Sequence, residues 1–163
     1  MKTLVIYYSF EGNTKLIADI LADQFGGDIV RLETEKAYPK DGLQKYFWGG
    51  KSVVLKEQPL LTNTNIALDL YDYIIMGTPV WAGSYAPPIR TLLNQYAFHD
   101  KKVALFACHA GGGAKKCFAK LKEAIPDNDF IGEIDFVDPL KHPAVEVTEK
   151  VSRWAQSLMN DRR

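Results

Sequence analysis

The chain has 163 residues, with 20 Lys+Arg against 20 Asp+Glu and 47% apolar residues, which predicts one globular domain over residues 1–163 with a sizeable core. A net charge of zero leaves no electrostatic footprint for nucleic acid or anionic lipid, and the longest apolar runs fall far short of the ~18 residues of a membrane span. No signal-peptide core follows Met1, and Cys108 and Cys117 form neither a CxxC motif nor a disulfide framework, so a cytoplasmic location is expected.

Lys2 to Tyr8 predicts the first strand, apolar on consecutive positions as when helices cover both faces of a parallel sheet. Asn13 to Phe25 predicts a helix, with Leu16, Ile17, Ile20, Leu21 and Phe25 at helical spacings and a stop at Gly26-Gly27. Asp28 to Leu32 is the second strand. Thr34 to Leu70 is longer than a crossover requires; it is expected to hold a helix over Asp41 to Trp48 and to project in part as a functional insertion. Tyr71 to Met76 is the third strand, and Pro87-Pro88 opens a helix carrying Ile89, Leu92, Leu93 and Tyr96. A fourth strand over Lys102 to Cys108, a helix over Ala114 to Ile125, a fifth strand over Ile131 to Val137 and a helix over Ala144 to Asn160 complete the series. Strands alternating with helices in this way predict a doubly wound α/β fold with a five-stranded parallel sheet.

In such sheets ligands sit beyond the carboxyl ends of the strands, where strand order reverses. After the first strand comes Ser9-Phe10-Glu11-Gly12-Asn13-Thr14, leading directly into a helix. Two hydroxyls, a glycine and the free N–H groups of a helix start make an uncharged cradle suited to a phosphate; the segment also reads as a plain turn capped by Ser9 or Asn13. After the third strand, Trp81 and Tyr85 lie among Gly and Pro between Gly77 and Pro88. An aromatic ring there suits stacking on a flat heterocycle, or Trp81 tucks back over the helix that starts at Pro87. After the fourth strand, three glycines in Cys108-His109-Ala110-Gly111-Gly112-Gly113 suit close backbone approach to a ligand edge, or form a flexible turn.

Taken together these loops resemble those of the flavodoxin family. Its phosphate loop, Ser/Thr-x-Thr/Glu-Gly-Asn-Thr, is matched by Ser9 to Thr14, and its two further flavin loops are matched in place by Thr78 to Tyr85 and Cys108 to Gly113. The resemblance spans essentially the whole chain. It implies strand order 2-1-3-4-5, helices on both faces, and non-covalent FMN at the switch point between strands one and three. It further implies the phosphate on Ser9, Gly12, Asn13 and Thr14, with Phe10 in the same loop and Glu11 contributing its backbone amide. The isoalloxazine would lie between Thr78, Pro79, Val80, Trp81, Ala82 and Gly83 on one side and Cys108, His109, Ala110, Gly111 and Gly112 on the other. A carbonyl of Ala82 or Gly83 is the candidate partner for flavin N5. Flavodoxins shuttle single electrons between redox partner proteins, setting potentials rather than supplying acids and bases, so no catalytic residue is expected.

The chain departs from the family in two respects. It is neutral where many members are strongly acidic, and the stretch from Cys108 to Lys116 has no aromatic residue, which leaves Trp81, Trp48 or an open flavin face. An open face would favour an FMN-dependent NAD(P)H:quinone-type oxidoreductase, although no Gly-x-Gly-x-x-Gly fingerprint is present. A phospho-acceptor receiver would need acidic residues where Tyr8-Ser9 and Gly77-Thr78 stand, and a Cys-x5-Arg phosphatase loop fails at Ala114. His99 and His142 read as surface residues, His109 as a loop residue beside the flavin, and both cysteines as buried and inert; no metal constellation is visible. The lysines Lys115, Lys116, Lys120 and Lys122 read as a solvated helix face or a partner-docking face.

Overall fold

The computed structural model describes residues 1–40, 44–63 and 65–161. Six strands form the sheet: β1 (Thr3–Tyr7), β2 (Asp28–Arg31), β3 (Tyr73–Trp81), β4 (Ser84–Tyr85), β5 (Lys102–His109) and β6 (Asp129–Val137). Five α-helices accompany them: α1 (Asn13–Phe25), α2 (Gln44–Val54), α3 (Pro87–Gln95), α4 (Lys115–Ala124) and α5 (Ala144–Asn160). The parallel strands run in the order β2-β1-β3-β5-β6, which is the expected 2-1-3-4-5 once the short antiparallel β4 is set aside. No helix among the described residues is long and apolar enough to cross a membrane.

Successive residues of the buried strands serve opposite faces of the sheet. Leu4, Ile6, Ile74 and Met76 pack with Ile89 and Leu92 of α3 and Phe118 and Leu121 of α4. Val5, Tyr7, Ile75 and Phe106 pack with Ile17 and Leu21 of α1 and Val151 and Leu158 of α5. This double burial explains why the strands are apolar on consecutive positions. The ends of α1 and α5 fall where periodicity places them. At the first of these ends, the Gly26 and Gly27 N–H groups donate to the carbonyls of Asp23 and Ala22, a stop that needs the left-handed backbone of Gly26.

The third strand corrects its expected length. Residues 77–81, assigned above to a loop, continue the ladder: Thr78 pairs with Ala107 and Pro79 with Cys108. The strand then turns back through Ala82 and Gly83, both with positive φ (48° and 70°), so that Trp81 faces Ser84 in a two-residue hairpin. The helix expected over Asp41 to Trp48 is present as α2 and runs on past Trp48 to Val54; residues 41–43 lie outside the described residues. The insertion is pinned at its base by antiparallel pairing of Thr34 with Leu61 and by backbone bonds from Glu35 to Leu60 and from Thr62 to Glu33. This base carries α2 back toward the carboxyl edge of the sheet, where Gly49 meets Trp81 at the end of β3.

Candidate functional site at the carboxyl edge of the sheet

A cavity of about 380 Å³ opens at the carboxyl ends of β1, β3 and β5. Ser9, Phe10, Glu11, Asn13 and Thr14 line it from the first loop, Pro79, Val80, Trp81 and Ala82 from the end of β3, and Cys108, His109 and Ala110 from the end of β5. The remaining expected positions stand behind this lining. Gly12 forms the left-handed turn (φ 101°) that starts α1. Thr78 is fully buried, and its hydroxyl accepts the Ala86 N–H (3.0 Å) and donates to the Pro79 carbonyl (2.8 Å), which holds the hairpin. Gly83 and the exposed Gly111 and Gly112 also lie outside the lining, so of the two carbonyls expected near the ring only that of Ala82 belongs to a lining residue.

Among the described residues, the first loop presents a run of backbone N–H groups without protein acceptors, those of Phe10, Glu11, Gly12, Asn13 and Thr14. Such a run, at a helix start whose dipole also favours negative charge, needs an anion or water to satisfy it. Ser9 caps the helix from outside: its Oγ accepts the Lys15 N–H (3.1 Å), leaving the hydroxyl proton for a ligand. Asn13 is partly spent elsewhere, because its Oδ1 accepts the Leu140 N–H (3.0 Å) and ties the turn Pro139–Lys141 to α1. The Thr14 hydroxyl reaches the Cys108 thiol, which burial pushes up to about 12, and burial raises the Cys117 thiol to about 12 as well. Both sulfurs are therefore held as neutral thiols.

The wall formed by the end of β3 is aromatic. Trp81 makes edge-to-face contacts with Tyr8, Phe10 and Tyr38, with ring centroids 5.2 to 5.9 Å apart. A Cβ at Gly49 would stand 3.6 Å from two atoms of the indole, so α2 lies against Trp81. Trp48 is 41% exposed and does not line the cavity. At the end of β5 the His109 imidazole is buried; Nδ1 accepts the Gly111 and Gly113 N–H groups (3.0 and 3.2 Å), and Nε2 contacts Asp135 Oδ2 (2.5 Å).

Against this geometry the comparisons are direct. A sequence model of the family described as Flavodoxin matches residues 2–157. The chain belongs to the flavodoxin family. It is similar to an FMN-complexed flavoprotein of Lactobacillus acidophilus at 28% identity, covering 82% of this chain and 92% of that one with a TM-score of 0.72. It is similar in fold to a Bacteroides eggerthii protein (22% identity, 97% and 98% covered, TM-score 0.80) and to oxidised flavodoxin 2 of Bacillus cereus (20%, 99% and 99%, 0.58).

Five lining residues of this flavodoxin-family chain were missed by sequence reasoning: Lys45, Gly49, Gly50, Asp138 and Lys141. The signal for α2 was the Gly49-Gly50 pair, which leaves clearance for an aromatic ring and lies just past the helix expected over Asp41 to Trp48. Nothing in the sequence pointed to Asp138 or Lys141. The two lysines are paired across the rim, Lys45 with Glu11 (2.6 Å) and Lys141 with Asp138 (3.0 Å). The cavity thus combines an amide cradle, an aromatic wall and a rim of balanced charge, and burial holds the one cysteine of its lining, Cys108, as a neutral thiol.

Proposed function

We propose that the protein binds FMN non-covalently and carries single electrons between redox partner proteins. The observation that supports this most strongly is the row of five N–H groups from Phe10 to Thr14 without protein acceptors, beside an aromatic wall in one cavity. Such a donor set fits a dianionic phosphate, and the wall fits a flat ring. When bound, the flavin supplies reversible one- and two-electron chemistry. The protein's residues do the rest. The Ser9 and Thr14 hydroxyls and the loop amides hold the phosphate, while Phe10, Val80 and Trp81 present apolar surface that excludes water from the ring. Because each rim carboxylate is paired with a lysine, the rim adds little field against accepting an electron.

Thr14→Val is expected to weaken FMN binding by about 1–3 kcal/mol, the cost of losing a hydrogen bond to a charged group. A fluorescence titration of the apoprotein reads this directly, and an unchanged affinity removes the hydroxyl from the site. The carrier role itself is tested by anaerobic reductive titration of the FMN-loaded protein, repeated with NADPH and NADH as reductants. Two resolved one-electron stages with the chemical reductant, and no direct reduction by the nicotinamides, are expected. Rapid two-electron bleaching by either nicotinamide would replace the carrier with an FMN-dependent NAD(P)H:quinone-type oxidoreductase, and failure to bind FMN would remove both.

A further inference from the structure

We propose that His109, anchored by Asp135, is the positioning residue that sets the 110–113 loop and, through Ala110, the cavity wall against the cofactor. The cofactor half of this statement rests on the FMN reading above; the loop half does not. Three contacts converge on one buried ring. Nδ1 accepts two N–H groups, from Gly111 (3.0 Å) and Gly113 (3.2 Å), so it carries no proton, and the ring proton sits on Nε2 and is donated to Asp135 Oδ2 (2.5 Å). Asp135 thereby selects the tautomer that can act as acceptor. It is itself held in place on β6, where Lys150 Nζ donates to its backbone carbonyl (2.6 Å).

The same geometry gives the glycine triplet a reason that ligand approach does not. Bringing two alternate N–H groups onto one nitrogen requires left-handed backbone at Gly111 (φ 132°) and Gly113 (φ 81°), whereas Gly112 has no such requirement. No atom stands within 4 Å of a Cβ built at any of the three, so conformation rather than crowding calls for glycine. With those two amides turned onto the imidazole, Ala110, the loop residue that lines the cavity, keeps its N–H without a protein acceptor among the described residues. That donor is then available to an acceptor edge of the bound ring. His109 also lines the cavity, but both ring nitrogens are occupied by Gly111, Gly113 and Asp135, so its hydrogen-bonding role toward the cofactor runs through this loop.

The first measurement is an HNN correlation experiment on uniformly ¹⁵N-labelled protein without FMN, which detects N–H···N bonds as through-bond couplings. Couplings from the Gly111 and Gly113 amides to His109 Nδ1 are expected, and their absence at neutral pH overturns the proposal. The second is FMN affinity in three variants. His109→Phe, which removes the acceptor, is expected to weaken FMN on the order of tenfold or more. His109→Asn, whose Oδ1 can take the place of Nδ1, is expected to recover most of that loss. Asp135→Ala changes a half-exposed side chain, so folding is retained, and it is expected to weaken both couplings and to lower FMN affinity several-fold. Equal losses in the Phe and Asn variants, or an Asp135→Ala protein identical to wild type in couplings and affinity, would overturn the positioning role. Couplings present in a wild-type protein that binds no FMN would support the loop half and overturn the FMN reading instead.

Discussion

Gly77→Ala is expected to lower the unfolding free energy by about 3 kcal/mol, the upper end of the usual cost of overpacking a core. Gly77 sits in the middle of the sheet, in register with Tyr7 of β1 and Phe106 of β5. The Phe106 ring lies across the glycine: a Cβ there would stand 2.0 Å from Cζ and 2.5 Å from both Cε atoms. Neither group can yield cheaply, since Phe106 is fully buried under α1 and α5. Urea unfolding followed by tryptophan fluorescence and circular dichroism gives the midpoint. The double variant Gly77→Ala/Phe106→Leu, which removes the ring atoms that clash, is expected to recover part of the loss; no recovery would mean that the strand itself, rather than the ring, objects to the Cβ. The effect reaches the site, because Gly77 leads directly into Thr78 and the Trp81 hairpin.

Gly12→Ala is expected to weaken FMN binding tenfold to a hundredfold, roughly 1.4–2.8 kcal/mol. The residue holds φ 101°, ψ −10°, and a side chain there would also press on Leu140 Cδ1 at 3.3 Å. Keeping an L-residue in the left-handed region costs roughly 1–2 kcal/mol. The loop can relieve this only by rotating the peptide units around Gly12, which moves the Gly12 and Asn13 N–H groups out of the cradle. Calorimetric titration with FMN, set beside thermal melting of the apoprotein, separates the two costs. A melting point lowered with affinity intact would mean that the cradle survives and that the strain falls on folding alone.

The expectations that held depend on residues close in sequence. Helical spacing from Leu16 to Phe25, with Gly26 after it, set the limits of α1, and consecutive apolar residues marked the buried strands. The turn from Ser9 into α1 was legible for the same reason, since its hydroxyls, its glycine and a helix start lie within six residues. The full extent of α2 was not legible. Glycine in a helix interior costs about 1 kcal/mol, and the helix was expected only to Trp48, yet it continues through Gly49-Gly50 to Val54, with Gly49 lying against Trp81 of β3. The hairpin after β3 was hidden because Ala82 is not a residue that announces positive φ; pairing of Val80 with Tyr85 and of Trp81 with Ser84 accompanies that backbone.

By itself, then, the sequence determined the alternation of strands and helices, the doubly wound class and the three loops at the carboxyl edge, because periodicity and turn chemistry are local properties of a chain. Only the tertiary structure decided that Lys45 meets Glu11, that Leu140 takes the Asn13 side chain and that His109 reaches Asp135. Each of these pairs joins residues 26 to 127 positions apart, and strand order and crossover geometry, which spacing along the chain does not encode, bring them within a hydrogen bond of each other.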